Sequence, residues 1–160
     1  MLAAKYASEG KKLDKNMYSS AELAGQYISS MIKTYKSASE LVGNDINLKK
    51  SDMSDETKLA IINGYVEQFG FVSGNILDKD GISIKDGTDF SDREYVMLAL
   101  KGEVNVSDIN LSKYTNTYGF SVAAPLCGDN NEILGVVYFR VDVDFMKWIT
   151  DTIKVGDEGA

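Results

Sequence analysis

Two arginines, Arg93 and Arg140, occur among 17 basic residues, and the remainder are lysine. Lysine serves solubility, whereas a guanidinium is a rigid, permanently charged fork that grips a carboxylate or phosphate through two parallel hydrogen bonds. Arginine this scarce points to placement for geometry, and the chemistry it offers is recognition of an anion. Arg93 stands in Asp89-Phe90-Ser91-Asp92-Arg93-Glu94-Tyr95, where Ser91 or Asp92 is expected to cap a short helix that runs to Leu100 and stops before Gly102. Two readings of Arg93 are open: contact with an anionic ligand, or an ion pair with Asp89, Asp92 or Asp108 that holds its own loop. Arg140 lies in Val136-Val137-Tyr138-Phe139-Arg140-Val141-Asp142, where strand alternation puts Tyr138, Arg140 and Asp142 on one face and Val137, Phe139 and Val141 on the other. The polar face either lines a pocket or meets solvent, and a surface pair of Arg140 with Asp142 or across the strands is the plainer expectation.

Tyr114-Thr115-Asn116-Thr117-Tyr118 combines polar and aromatic groups, which suits a pocket wall and suits an exposed loop equally. Ser73 and Asn75, in a strand, are candidates for the same cavity. The chain has no histidine and one cysteine, so an internal disulfide, the usual zinc constellations and the His-based triads are all excluded. Cys127 sits in the turn Pro125-Leu126-Cys127-Gly128-Asp129 with no base to activate it, and no role is assigned to it. Paired-carboxylate hydrolysis would need two acids marked by their surroundings, and none of the 24 acidic residues is so marked. The lack of histidine also removes the commonest haem ligand, and no cofactor or metal is expected.

The elements that must position these groups follow from composition and period. At 160 residues and 44% hydrophobic, the chain is long enough for one domain with a core. A net charge of -7 sets the overall field against nucleic acid. No stretch reaches the roughly 18 to 20 apolar residues of a membrane span, and the N-terminus lacks the order of a signal peptide, so the chain is expected to be soluble.

Leu13, Met17, Ala24, Ile28, Met31, Tyr35, Ala38 and Leu41 recur at helical spacing, which predicts a long helix from Leu13 to Val42 ended by Gly43-Asn44. Its roughly 45 Å exceed what a small core requires, so part of it is expected to project. Ser54 caps a second helix through Phe69, with Asp55 and Glu56 in its first turn and Gly70 at its end. After Gly70 the period becomes two. Phe71 to Asp78 reads as a strand, Asp78-Lys79-Asp80-Gly81 as a hairpin turn, and Gly81 to Ile84 as the start of the next strand. Phe120 to Leu126 and Ile133 to Val143 are the strongest strands, paired antiparallel through Gly128-Asp129-Asn130-Asn131. A last helical segment starts near Asp144 with Phe145, Met146, Trp148 and Ile149. The plan is α+β: a central antiparallel sheet of about five or six strands with a long N-terminal helix.

The order of several motifs resembles the Cache family, the extracytoplasmic PAS-like sensors of bacterial receptors. They are Ile76-Leu77-Asp78-Lys79-Asp80-Gly81, Asp89 to Tyr95 with Ala99 and Gly102, Val106-Ser107-Asp108 with Ser112-Lys113, Ala123-Ala124-Pro125, and Ile133-Leu134-Gly135-Val136-Val137. Each is common alone, and five in this order across most of the chain are specific. The tail Ile153 to Ala160 looks like the linker that opens the membrane-proximal module of a double Cache receptor. The resemblance thus implies a long helix over 1–42 leading from the membrane, a sensor module over 43–150, and the start of a linker over 151–160.

By resemblance Arg93 is the residue that holds an anionic ligand group, and Tyr95 falls where the family often carries an aromatic. Amino-acid-binding double Cache members follow the arginine with an aromatic pair and add two acidic residues for the ammonium group. Here Val96 follows Tyr95, the first acidic position falls at Ser112 and the second at or near Arg140. The candidate ligand site is therefore Arg93, Tyr95, Ser73, Asn75, Tyr114, Tyr118, Ser112 and Arg140, and the departures favour a small carboxylate over an amino acid. The expected function is sensing of a small organic molecule, without catalysis, outside the cell membrane by a membrane-anchored, homodimeric receptor. The alternative is a structural or dimerisation module of such a receptor with no ligand of its own.

Overall fold

The computed structural model describes the backbone of residues 2–112 and 115–143, and within those stretches the side chains of residue 19 and of residues from 21 onward. Tyr114, the segment from Asp144 with Phe145, Met146, Trp148 and Ile149, the linker 151–160, and the side chains of Leu13 and Met17 lie outside the described residues. The chain divides into two compact units. Ile32–Val143 holds the sheet, and the other includes residues 1–31.

Helix α1 spans Leu2–Gly43, eleven residues longer at its start than the apolar period alone predicts. Its last turns bury Ala38, Ser39 and Val42, and Tyr35 packs on Phe71 and Phe120 with ring centroids 5.2 and 6.4 Å away. Gly43 ends it against the sheet: a Cβ there would collide with the carbonyl of Pro125, so only glycine lets the helix end approach so closely. Helix α2 (Asp55–Phe69) forms as its signals dictate. The Ser54 hydroxyl accepts from the Thr57 N–H at 3.2 Å, and Gly70 at φ 75° closes it by donating to the Val66 carbonyl.

The sheet comprises β1 (Ser73–Asp78), β2 (Asn105–Val106), β3 (Asn110–Leu111), β4 (Tyr118–Cys127) and β5 (Ile133–Asp142). Its order is β1-β5-β4-β2, with β3 also paired to β4, and every pairing is antiparallel. Alternation gives it two chemically distinct faces. Gly74, Phe120 and Phe139 look towards Tyr35, Ile62 and Phe71, and the Phe71 and Phe139 rings stack at 4.2 Å. Burying a ring such as Phe139, fully covered here, is worth roughly 1.5 to 3 kcal/mol. The opposite face carries Leu77, Ala123 and Val136, which helix α3 (Glu94–Leu100) covers with Val96 and Ala99. Beyond α3 that same face turns polar, with Asn75, Tyr138, Arg140 and Ser121.

Two local expectations are corrected. The turn Asp78 to Gly81 folds the chain back, with the Asp78 N–H on Ile82 and the Ile84 N–H on Ile76, but Gly81 to Ile84 extends into no ladder strand and makes isolated bridges, Leu77 to Ser83 and Ile82 to Asp89. The cause is side-chain competition for the backbone, since Asp78 accepts from the Asp80 and Ile82 N–H groups and Ser83 from Lys85. The second correction concerns α3, which begins at Glu94 with Arg93 itself as the extended N-cap residue (φ -90°, ψ 128°) and no side-chain cap. Asp89 instead accepts from the Ser91 N–H, and residues 89–92 form a turn. Neither Ser91 nor Asp92 caps the helix, and Arg93 precedes its first turn.

Candidate functional site

Tyr138 anchors the polar end of the α3 face. It sits in the middle of β5, opposite Asn75 of β1 and Ala123 of β4, so its backbone is fixed by ladders on both sides. Phe90 and Tyr95 flank its ring with centroids at 5.5 and 6.1 Å, the latter nearly parallel at 18°. The turn 89–92 supplies Phe90 and the first turn of α3 supplies Tyr95, so two local elements bring the rings together over one strand.

Arg93 closes this cluster from outside. Its guanidinium carbon lies 4.4 Å from the Phe90 ring centroid, and one terminal N–H donates to the Tyr95 hydroxyl at 3.1 Å. Among the described residues no carboxylate forms an ion pair with it, so neither Asp89, Asp92 nor Asp108 takes the role of loop partner. Partial burial pulls the guanidinium pKa down, but the hydroxyl of Tyr95 and the nearby Tyr138 and Asp92 outweigh it, and the group is held above its ordinary value. Burial and the neighbouring Tyr138 push the Tyr95 hydroxyl up, against the opposing pull of Arg93 and Ser121. At neutral pH the cluster therefore offers one cation and neutral hydroxyls over an aromatic floor, the chemistry that receives a small organic anion.

The other predicted residues fall in different places. Asn75 is buried beside Tyr138 on the same face, but its amide donates to the Ser83 hydroxyl at 2.6 Å and its carbonyl accepts from the Ile76 N–H. That pairing ties the loop after β1 to the sheet. Ser73 is exposed and directly opposite Arg140. Arg140 forms no surface pair with Asp142; its two terminal nitrogens donate to the side-chain oxygen and the carbonyl of Asn110, at 2.8 and 3.0 Å. Ser112 lies in the turn after β3, where its N–H donates to Thr117 and its hydroxyl accepts from Thr115. Tyr118 is not brought to the cluster. It alternates with Gly119 and Ser121, so it shares the Phe120 face and is 53% exposed.

Phe90, Tyr138, Ser121 and Asn110 complete the arrangement without having been singled out as site residues. For Tyr138 the alternation with Arg140 was a usable signal. For Ser121, whose hydroxyl donates to that of Tyr138 at 3.3 Å, and for Asn110 the sequence offers none, because their place depends on strand register.

The architecture is that of Cache-type, PAS-like sensor domains. The sensor domain of the histidine kinase DctB of Vibrio cholerae superposes with a TM-score of 0.73 at 17% identity, covering 87% of this chain and 59% of its own. The sensory domain of the Campylobacter jejuni chemoreceptor Tlp3 with isoleucine bound gives 0.68 at 15%, covering 84% and 62%. The DcuS sensor domain of Escherichia coli gives 0.57 at 16%, covering 79% of this chain and 96% of its own. This chain thus spans about three-fifths of the DctB and Tlp3 chains. Among curated proteins, the citrate (Re)-synthase of Syntrophus aciditrophicus (strain SB) is 40% identical over 58 residues, which is 36% of this chain and 9% of that protein. No family model matches.

Proposed function

We propose that this chain is an extracytoplasmic module by which a bacterial transmembrane receptor senses a small organic ligand, and that it acts by binding without catalysis. The observation that carries this reading is Arg93: charged, half-presented to solvent, seated over Phe90 and Tyr95, and without a carboxylate partner among the described residues. The fold supports it, since chains of this architecture are the sensor domains of DctB and DcuS and the ligand-binding domain of Tlp3. The Tlp3 domain takes isoleucine and 4-methylisoleucine, both with a carboxylate that an arginine can hold. Among the described residues of the cluster, Phe90, Arg93, Tyr95, Ser121 and Tyr138, none is an acid for an ammonium group, which favours a small carboxylate without a positive centre.

The receptor would be anchored by segments other than the described helices, none of which is long and apolar enough to cross a membrane. Helix α1, at 42 residues and with Leu23, Tyr27 and Leu41 exposed, is the surface this reading gives to a homodimer in the intact receptor. Ligand binding then works by favouring one of two helix arrangements over the other.

The test is a thermal-shift panel of small organic acids and amino acids. A binder at a hundred times its dissociation constant gains about 2.7 kcal/mol and melts several degrees higher. An inert dimerisation module melts at one temperature throughout.

A further inference from the structure

On the same polar face as Tyr138, two positions along β5, the guanidinium of Arg140 lies across Gly119, where a Cβ would come within 3.0 and 3.1 Å of its nitrogens. Both terminal nitrogens fork onto Asn110, one to its amide oxygen and one to its backbone carbonyl, while the Nε–H is buried with no partner among the described residues. Asn110 belongs to β3, a strand of two residues, both exposed. The two residues of β3 pair with β4 at Gly119 and Tyr118; the segment's start is fixed by two bonds between Ser107 and Ser121 and its end by the Ser112 N–H on Thr117, which leaves the Arg140 fork as the side-chain contact on Asn110 between them. An arginine fork thus closes on a neutral amide, although its stronger partner by about a factor of two is an anion.

We propose that Arg140 is a second carboxylate-binding position of the ligand site, which the protein keeps occupied with Asn110, and that a carboxylate taking the fork unlatches segment 107–112. The proposal rests on the reading of this face as a ligand site. It gives the face an anion-holding group apart from Arg93, and it gives binding a structural consequence, since the segment loses its hold at Asn110 when the fork turns. The buried Nε–H is the donor that the amide leaves unused and that a carboxylate lying side-on to the guanidinium can take.

A tethered carboxylate tests this without a ligand. Ser73 is exposed and sits directly opposite Arg140 on β1, across β5 from the guanidinium's seat over Gly119 of β4, so an acid there draws the fork off Asn110 towards β1. Ser73→Asp places a carboxylate there at high effective concentration. Amide hydrogen exchange across residues 107–112 is the readout. Ser73→Asp should speed exchange about tenfold, matching Asn110→Ala, while the neutral isostere Ser73→Asn should not. Asn110→Asp, which puts the anion on the latch itself, should slow exchange below the parent, and Arg140→Gln should erase both effects. Equal exchange in Ser73→Asp and Ser73→Asn, or an Asn110→Asp segment that opens faster than the parent, overturns the proposal. Arg93 takes no part in these variants, so this failure leaves the ligand-site reading standing, and a failed ligand screen leaves the latch standing.

Discussion

Arg93 reaches back over its own turn to hold the hydroxyl of Tyr95 at 3.1 Å, and Tyr95 in turn stacks on Tyr138 of the central sheet. The sole cation of the cluster is therefore aimed by a hydroxyl whose ring is fixed by the fold. Removing that hydroxyl frees the guanidinium while leaving the ring in place. Tyr95→Phe should weaken a ligand identified by thermal shift about tenfold in calorimetry, with little change in melting temperature. An unchanged affinity would show that the hydroxyl does not aim Arg93.

Gly74 makes the contact between α2 and the sheet possible. A Cβ there would stand 2.7 Å from the Ile62 side chain and 2.8 Å from the Phe139 ring, both fully buried. Gly74→Ala should cost about 1 to 3 kcal/mol through overpacking, seen as a melting temperature lower by several degrees. A variant as stable as the parent would mean that the helix and sheet separate freely at this point.

Tyr65 on α2 donates to the carboxylate of Asp45 in the connection after α1. That hydrogen bond, helped by partial burial and the charge of Asp45, raises the tyrosine from 10.0 to about 12. Because the folded value lies above the unfolded one, the unfolded chain loses this proton first as pH rises. The contribution is therefore complete below pH 10 and disappears as pH climbs through about 12. Tyr65→Phe should cost about 1 kcal/mol at neutral pH in denaturant unfolding, a modest figure because the pair is part-exposed. The gap between parent and variant should stay constant to pH 10 and then close, and a gap unchanged at pH 12 would contradict this account.

Helices α1 and α2, strands β4 and β5 and the hairpin between them were legible because each is written locally. Ser54, Gly43 and Gly70 mark ends, and apolar spacing marks faces. Strands β2 and β3 were not, since two residues, one polar and one apolar, are too short to show a period, and their pairing is decided by where β4 runs. The reading of Ser91 or Asp92 as a helix cap failed for a related reason: the Asp89 side chain bonds the Ser91 N–H and sets a turn, which delays the helix to Glu94. Within the site, scarcity marked Arg93 and Arg140, and alternation marked Tyr138. Nothing local joined Arg140 to Asn110, thirty residues away, or turned Tyr118 to the opposite face.

The account stands most directly on Arg93, and calorimetry of the strongest thermal-shift ligand against parent, Arg93→Ala and Arg93→Lys tests it. Loss of a charge-assisted pair predicts roughly hundredfold weaker binding for Arg93→Ala, with a substantial but smaller loss for Arg93→Lys, which keeps the charge and forfeits the fork. Both variants should melt close to the parent, because Arg93 is exposed and its contacts are with Phe90 and the Tyr95 hydroxyl at the surface. Binding by Arg93→Ala as tight as the parent, or unfolding of that variant, would contradict the account and leave Arg93 a structural residue.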